Sequence, residues 1–260
     1  SLQREANKLF GYTAQQTLDY AQSLYEKKLA TYPRTDSRFI PEDVRATVGS
    51  LVNYLQLHLP FAQGAAYTPD MERVIDNARV SDHHALLPTA ELAAADLDTL
   101  PSGERAVLML IAARLLCATA APHVYEAVPV LIECGGHTFT AKGKTVLQDG
   151  WQTIDRAFRG TLKDAPEAED TDEDSELPVL AEGQGFSDVQ ATVREGTTSP
   201  PRHFTEDLLL SAMESAAKAP DDAERQGLGT PATRAATIEK LVRGGFVQRK
   251  KRRLLPTEKG

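Results

Sequence analysis

The side chains whose types and spacing best suit chemistry are Tyr32 and Arg34, within Thr31-Tyr32-Pro33-Arg34-Thr35-Asp36-Ser37. A residue that precedes proline is pushed out of the α region into an extended conformation. In an extended segment, side chains two apart point the same way, so a phenol stands beside a permanent cation. That pair suits a phosphodiester. The guanidinium can hold phosphate oxygens bidentately, and it favours the phenolate, which an unperturbed phenol of pKa about 10 scarcely supplies at neutral pH. Thr35, Asp36 and Ser37 offer N-cap chemistry to whatever follows. The same residues also describe an ordinary turn, and both readings stand at this point.

Three further stretches carry candidate groups. In Asp82-His83-His84-Ala85-Leu86-Leu87-Pro88-Thr89 a polar pair enters a short apolar run closed by proline; alone, these histidines read as surface or structural residues. In Gly227-Leu228-Gly229-Thr230-Pro231-Ala232-Thr233-Arg234, Thr230 fits an N-cap with Pro231 at the first helical position. Such a helix start offers unpaired N–H groups and a positive dipole end to an anion, with Thr230, Thr233 and Arg234 as added donors, although any well-capped helix reads the same way. The run Gln248 to Arg253 is either a basic wing on a nucleic-acid backbone or a charged surface turn. Trp151 either stacks on a base or anchors packing beside strands.

The elements that must position these groups are mostly helical. Thr13-Ala14-Gln15-Gln16 fits a capping box, and Ala14, Leu18, Ala21 and Tyr25 form a stripe expected to be buried and to lead into the tyrosine segment. Pro41-Glu42-Asp43 opens a helix through Val44, Val48, Leu51 and Leu55, broken at Leu59-Pro60. Residues 90–100 and 102–121 read as helical, the second with Ala106, Leu110, Ala113 and Leu116 on one face and Pro122 just beyond. At Val124 the period changes. Val128–Cys134 and His137–Ala141 flank Gly135-Gly136, a β-hairpin pattern, and further strands are expected at Val179-Leu180 and Val189–Val193. A helix beginning at Thr205 should bury Leu208, Leu209 and Met213, and the one beginning at Thr230 should end at Gly244-Gly245. The fold class expected is α+β: mainly helical domains with a small antiparallel β domain.

Composition sets the limits. The chain has 260 residues, 41% of them hydrophobic and 25% charged, as in ordinary globular proteins. No stretch approaches twenty apolar residues and the start carries no signal-like succession, so no membrane partner and a cytoplasmic location are expected. Cys117 and Cys134 have no C-x-x-C spacing and read as small core residues. The net charge of −8 is awkward for a nucleic-acid partner until it is located: Asp164, Glu167, Glu169, Asp170, Asp172, Glu173, Asp174 and Glu176 fall within thirteen residues that contain no lysine or arginine. Without them the remainder is near neutral and can be locally basic. Their D-x-D spacings raise a metal site, but the composition is that of a solvated loop, and no metal ligand is assigned in this chain.

The tyrosine stretch resembles the active-site signature of type IA DNA topoisomerases, and other stretches resemble the same family in the same order. Ser1-Leu2-Gln3-Arg4-Glu5-Ala6, with Thr17-Leu18 and Ala21-Gln22-Ser23-Leu24-Tyr25-Glu26, resembles the helices leading to its tyrosine; Asp82–Thr89 resembles its histidine motif. Pro200-Pro201-Arg202-His203-Phe204-Thr205-Glu206 with Gly227–Ala235 resembles its C-terminal motif. The paired histidines and Thr-Pro-Ala-Thr-Arg-Ala are similar to the topoisomerase III branch.

The resemblance implies Tyr32, Arg34 and His83 as catalytic residues, His83 hydrogen-bonding a phosphate oxygen, and Arg34, His84, Arg202, Thr230, Thr233 and Arg234 as DNA contacts. It implies a helical domain with the tyrosine over 1–123, a β arch segment over 124–198 with an acidic loop at 161–178, and a helical C-terminal segment over 199–260 lining a single-strand DNA channel. The family uses Mg²⁺ held by an N-terminal toprim domain; that domain is absent here, so the chain is expected to be a fragment that binds no cofactor itself. The implied reaction needs no ATP: Tyr32 cleaves one strand as a 5′-phosphotyrosine, another strand passes, and the break is religated. A helicase is a further implied partner. A tyrosine recombinase fits less well, because its nucleophile lies near the C-terminus after its arginines and histidines. A single-strand DNA-binding module, inactive in isolation, is the alternative for this stretch alone.

Overall fold

The computed structural model describes residues 1–64, 67–80, 82–162, 180–187, 189–190, 192–193, 195–216 and 227–260. The chain divides into two compact units: Ser1–Ala121 with Trp151–Pro166 and His203–Gly260, and Pro122–Gly150 with Glu167–Arg202. Most of the acidic loop lies outside the described residues, as do Val179 and Ala191.

The first unit is helical. Helix α1 (Leu2–Phe10) ends on Gly11, whose φ of 73° closes it in the left-handed region. Helix α2 (Ala14–Glu26) starts with the capping box: the Gln16 amide donates to the Thr13 hydroxyl and the Gln16 side chain accepts from the Thr13 amide. Its buried face is Ala14, Thr17, Ala21 and Leu24. The expected stripe is thus corrected: Leu18 is half-buried and Tyr25 is 42% exposed, because the helix packs through its smaller side chains. After a 3-10 turn at Glu42–Val44, α3 (Arg45–His58) buries Val48, Leu51, Val52 and Leu55.

Helix α4 (Ser102–Thr119) is the centre of the unit. It touches α1, α2, α3 and α5 (Gln152–Gly160), so it is buried on several sides instead of along one stripe, with Val107, Leu108, Leu110, Ala112 and Leu116 sealed from solvent. Burial of each such leucine is worth about 1.5–3 kcal/mol relative to exposure. Its first turn meets α2 closely enough that a Cβ on Gly103 would lie 2.4 Å from the Tyr20 ring. Residues 90–100 form two 3-10 turns, Ala90–Ala93 and Leu97–Thr99, in place of one helix.

The C-terminal part returns to this core. Helix α6 (Glu206–Ser215) buries Leu210, whereas Leu208 is exposed and Leu209 and Met213 are only half-buried, a one-residue correction to the expected face. Helix α7 (Pro231–Arg243) stops at Gly244, and Gly245 takes the left-handed turn with φ 71°. The antiparallel strands β3 (Val247–Lys250) and β4 (Arg253–Pro256) follow.

That second unit contains an antiparallel hairpin of β1 (Val124–Cys134) and β2 (His137–Gln148), in register Cys134 opposite His137 and Val130 opposite Ala141. Gly135 and Gly136 have φ of 59° and 79°, the double positive φ that a two-residue hairpin turn needs. The expected strand at Val189–Val193 is not formed: Val189, Gln190, Thr192 and Val193 lie outside any strand. Nor is 124–198 strand throughout, since α5 interrupts it and belongs to the first unit. Cys117 is buried, but Cys134, at the exposed hairpin end, is not a core residue.

Candidate active site

Helix α2 delivers the tyrosine segment through a tight reversal. The Leu29 amide donates to the Leu24 carbonyl at 2.8 Å, and Lys28 takes φ of 61°, a left-handed conformation costly for a side-chain-bearing residue. Buried Glu104 of α4 anchors the end of the helix: it accepts from the Ser23 hydroxyl at 2.9 Å and pairs with Lys27. The chain then leaves regular structure, with a bend at Pro33.

The histidine segment runs antiparallel beside it. The Thr31 amide donates to the Leu87 carbonyl and the Thr89 amide to that of Leu29, at 2.9 and 3.1 Å, around a bridge between Ala30 and Pro88. The Thr31 hydroxyl accepts from the Leu87 amide at 2.9 Å and reaches the Ala85 carbonyl at 3.4 Å. Beyond the tyrosine, the Thr35 hydroxyl donates to the His83 carbonyl at 3.1 Å, and the Ala85 amide donates to Phe39 at 2.8 Å. These bonds bring the Tyr32 and His83 rings to a centroid distance of 4.4 Å, tilted by 43°. Tyr25 meets the other side of Tyr32 edge-on at 5.5 Å.

Arg34 is exposed and, among the described residues, makes no hydrogen bond or ion pair, so its guanidinium is open to an anion. His84 is half-buried with Nδ1 donating to the Ala85 carbonyl at 2.7 Å, which ties up one ring nitrogen. The sequence thus brings Tyr32, Arg34 and His83 to one place, with His84 next to them.

The Gly227–Ala235 part of the C-terminal motif lies in the same unit. Gly229 has φ of 69°, and α7 begins with a second capping box: the Thr230 amide donates to the Thr233 hydroxyl at 2.7 Å, and the Thr233 amide donates back at 3.3 Å. Two donors expected to face an anion are thereby spent on the helix itself. Arg234 is corrected more firmly. It is buried, its Nε donating to the Leu228 carbonyl at 2.9 Å with Glu214 3.5 Å away, so here it braces the loop. Arg202 falls in the second unit. In the basic hairpin Arg249 turns inward to Glu206 and Glu239, leaving Lys250, Lys251, Arg252 and Arg253 exposed. Trp151 packs against the helical core.

A cavity of about 680 Å³ joins the two motifs, lined on one side by Pro33, Thr35 and Arg38 and on the other by Gly229, Thr230 and Arg234. Arg114 of α4 also faces it, ion-paired to Glu5 and Asp155 at 2.6 Å each. Burial works to lower the Arg114 pKa, but Glu5 and Asp155 outweigh it and hold the group above its ordinary value. Arg38 and Arg114 carried no distinguishing pattern in the sequence, and Tyr25 was expected on a buried stripe, not beside the tyrosine. Among the described residues, no three His, Cys, Asp or Glu side chains gather closely enough to hold a metal, and no helix is long and apolar enough to cross a membrane.

The tyrosine signature, the apposed histidine and the capped glycine-threonine motif stand together on a helical scaffold of the type IA class, and a family model described as DNA topoisomerase matches residues 1–260: the chain belongs to that family. Within it the chain is similar to DNA topoisomerase 3 of Bacillus licheniformis, 41% identical over 275 residues, and to that of Bacillus subtilis, 37% identical over 277. Each alignment covers 100% of this chain and 36% or 37% of the relative, so the chain spans little more than a third of their length. Full-length topoisomerase I from Thermotoga maritima shares the fold, with a TM-score of 0.62, 22% identity, and coverage of 98% of this chain and 39% of that one.

Proposed function

We propose that this chain supplies the nucleophile and part of the single-strand DNA seat of an ATP-independent type IA topoisomerase. The observation that carries the reading is the apposition of Tyr32 and His83, from separate motifs, beside the open guanidinium of Arg34. The Tyr32 phenol oxygen attacks phosphorus and the bond to the 3′ oxygen breaks, giving a 5′-phosphotyrosine and, once that oxygen takes a proton, a 3′-hydroxyl. Arg34 and His83 hold the phosphate oxygens. Because the covalent link keeps the energy of the broken bond, the 3′-hydroxyl reverses the step after a strand has passed, and no ATP is spent.

Mg²⁺, when bound, supplies charge neutralisation at the phosphate; its ligands belong to a toprim domain of the same polypeptide, and this chain holds no cofactor of its own. Single-stranded DNA is the substrate. The cavity between the signature and the Gly229–Thr230 motif is where it runs, with Arg38 at its wall and the Thr230 end of α7 opposite. A helicase is the proposed protein partner and the cytoplasm the proposed location. The 260-residue chain alone binds single strands without cleaving them. The test is relaxation of supercoiled plasmid by the complete polypeptide: activity lost in Tyr32→Phe supports the proposal, and relaxation by the isolated chain, or activity retained in Tyr32→Phe, overturns it.

A further inference from the structure

The Tyr32–His83 apposition depends on two hydroxyls that the reading above leaves without a role. Tyr32 sits between two threonines whose hydroxyls both bond to the histidine segment, that of Thr35 also accepting from the Ser37 amide at 3.1 Å. The Thr31 hydroxyl spans the Ala85 carbonyl and the Leu87 amide, and the Thr35 hydroxyl donates to the carbonyl of His83 itself. The backbone adds one bond at Thr31, to Leu87, and beyond Thr35 the next tie between the segments is Phe39 to Ala85. From Tyr32 to Arg38, therefore, among the described residues, the Thr35 hydroxyl is what fixes the end of the histidine segment that carries the ring. His83 is exposed, and among the described residues Tyr32 is its one ring partner.

We propose that Thr31 and Thr35 are positioning residues: a two-hydroxyl clasp that sets the distance between the attacking tyrosine and the histidine at the phosphate. This rests on the topoisomerase reading. A displacement of about 1 Å at a reacting centre can cost about 100-fold in rate, and the clasp acts on that distance. It touches neither Arg34 nor the cavity wall at α7, but Thr35 itself lines the opposite wall, so the clasp is read from the rate of adduct formation at saturating oligonucleotide.

The experiment uses the complete polypeptide with a labelled single-stranded oligonucleotide and Mg²⁺. Single-turnover formation of the covalent adduct and the dissociation constant are measured for wild type, Tyr32→Phe, Thr35→Val, Thr35→Ser and Thr31→Val. The clasp predicts that, at saturating oligonucleotide, Thr35→Val slows adduct formation by about 10- to 100-fold, and that Thr35→Ser, which keeps the hydroxyl, restores the rate. Thr31→Val should act in the same direction. A second readout needs no activity: in this chain the His83 imidazole protons should carry a ring-current shift from Tyr32, which should collapse in Thr35→Val as in Tyr32→Ala, while Tyr32→Phe, which keeps the ring, retains it. Thr35→Val with wild-type adduct rate, or with the His83 shift intact, overturns the clasp while leaving Tyr32 as nucleophile. Failure of Thr35→Ser to restore the rate also overturns it. A wild type that forms no Tyr32-dependent adduct overturns both readings at once.

Discussion

Glu206 is where the C-terminal segment is fastened to the helices that carry the tyrosine. Its carboxylate is buried, accepts the Ala14 amide at the start of α2 at 2.7 Å, and receives Arg249 Nε from β3 at 2.7 Å. Glu206→Ala removes both bonds and leaves Arg249 with Glu239 alone. Removing one partner of a buried pair costs about 3–5 kcal/mol. Arg249 is 25% exposed and keeps its second acid, which places the expected loss at the lower end, about 3 kcal/mol. For a chain of this size each kcal/mol moves the melting temperature by about 2–4 °C, so a drop of about 6–12 °C is expected. Glu206→Gln keeps an acceptor for the Ala14 amide and loses only the charge, and should cost about 1–2 kcal/mol. Thermal unfolding followed by near-ultraviolet circular dichroism of the 260-residue chain measures both variants. A shift in Glu206→Ala below about 2 °C, or Gln costing as much as Ala, would refute the reasoning.

Three further outcomes follow from single positions. Lys28→Gly should stabilise the chain by about 1 kcal/mol, since the left-handed conformation at that site costs L side chains about 1–2 kcal/mol; a lower urea midpoint would contradict it. Gly103→Ala should destabilise by about 1–3 kcal/mol through the clash with Tyr20, and a Tyr20→Ala background should relieve that part; an equal loss in both backgrounds would show the contact to be irrelevant. Burial pushes the Cys117 thiol up to about 12, from its ordinary value of 9.0. Below pH 9 both folded and unfolded chains keep this proton. Between pH 9 and 12 the unfolded chain releases it first, so stability should fall with rising pH in that window, and less steeply in Cys117→Ala. At neutral pH a thiol reagent should therefore modify exposed Cys134 rapidly and Cys117 only on unfolding.

Much of the fold was legible because local signals agreed with it. The capping box at Thr13, the N-cap at Thr230, the Gly135-Gly136 turn and the Gly244-Gly245 stop each act within a few residues, and each stands where its chemistry puts it. The faces of α2 and α6 were misjudged because the buried side of a helix is set by its neighbours: α2 meets α1 and α4 through alanines and a threonine, leaving Tyr25 beside Tyr32. Tertiary contact likewise decided Arg234. A guanidinium after a glycine-rich helix start reads as an anion donor, and only the return of α6 places Glu214 and the Leu228 carbonyl around it. The apposition of Tyr32 and His83 spans about fifty residues of sequence and was legible only through the resemblance of both motifs to one family; the threonine hydroxyls that hold it have no signature beyond hydrogen-bonding capacity.

The central claim is that Tyr32 forms the covalent bond to DNA. The direct measurement is denaturing capture of a labelled single strand by the complete polypeptide with Mg²⁺, followed by proteolysis and mass spectrometry of the labelled peptide. The account predicts a phosphotyrosine-linked nucleotide on Tyr32 and no adduct in Tyr32→Phe. A label on any other residue, or an adduct that survives Tyr32→Phe, would contradict it.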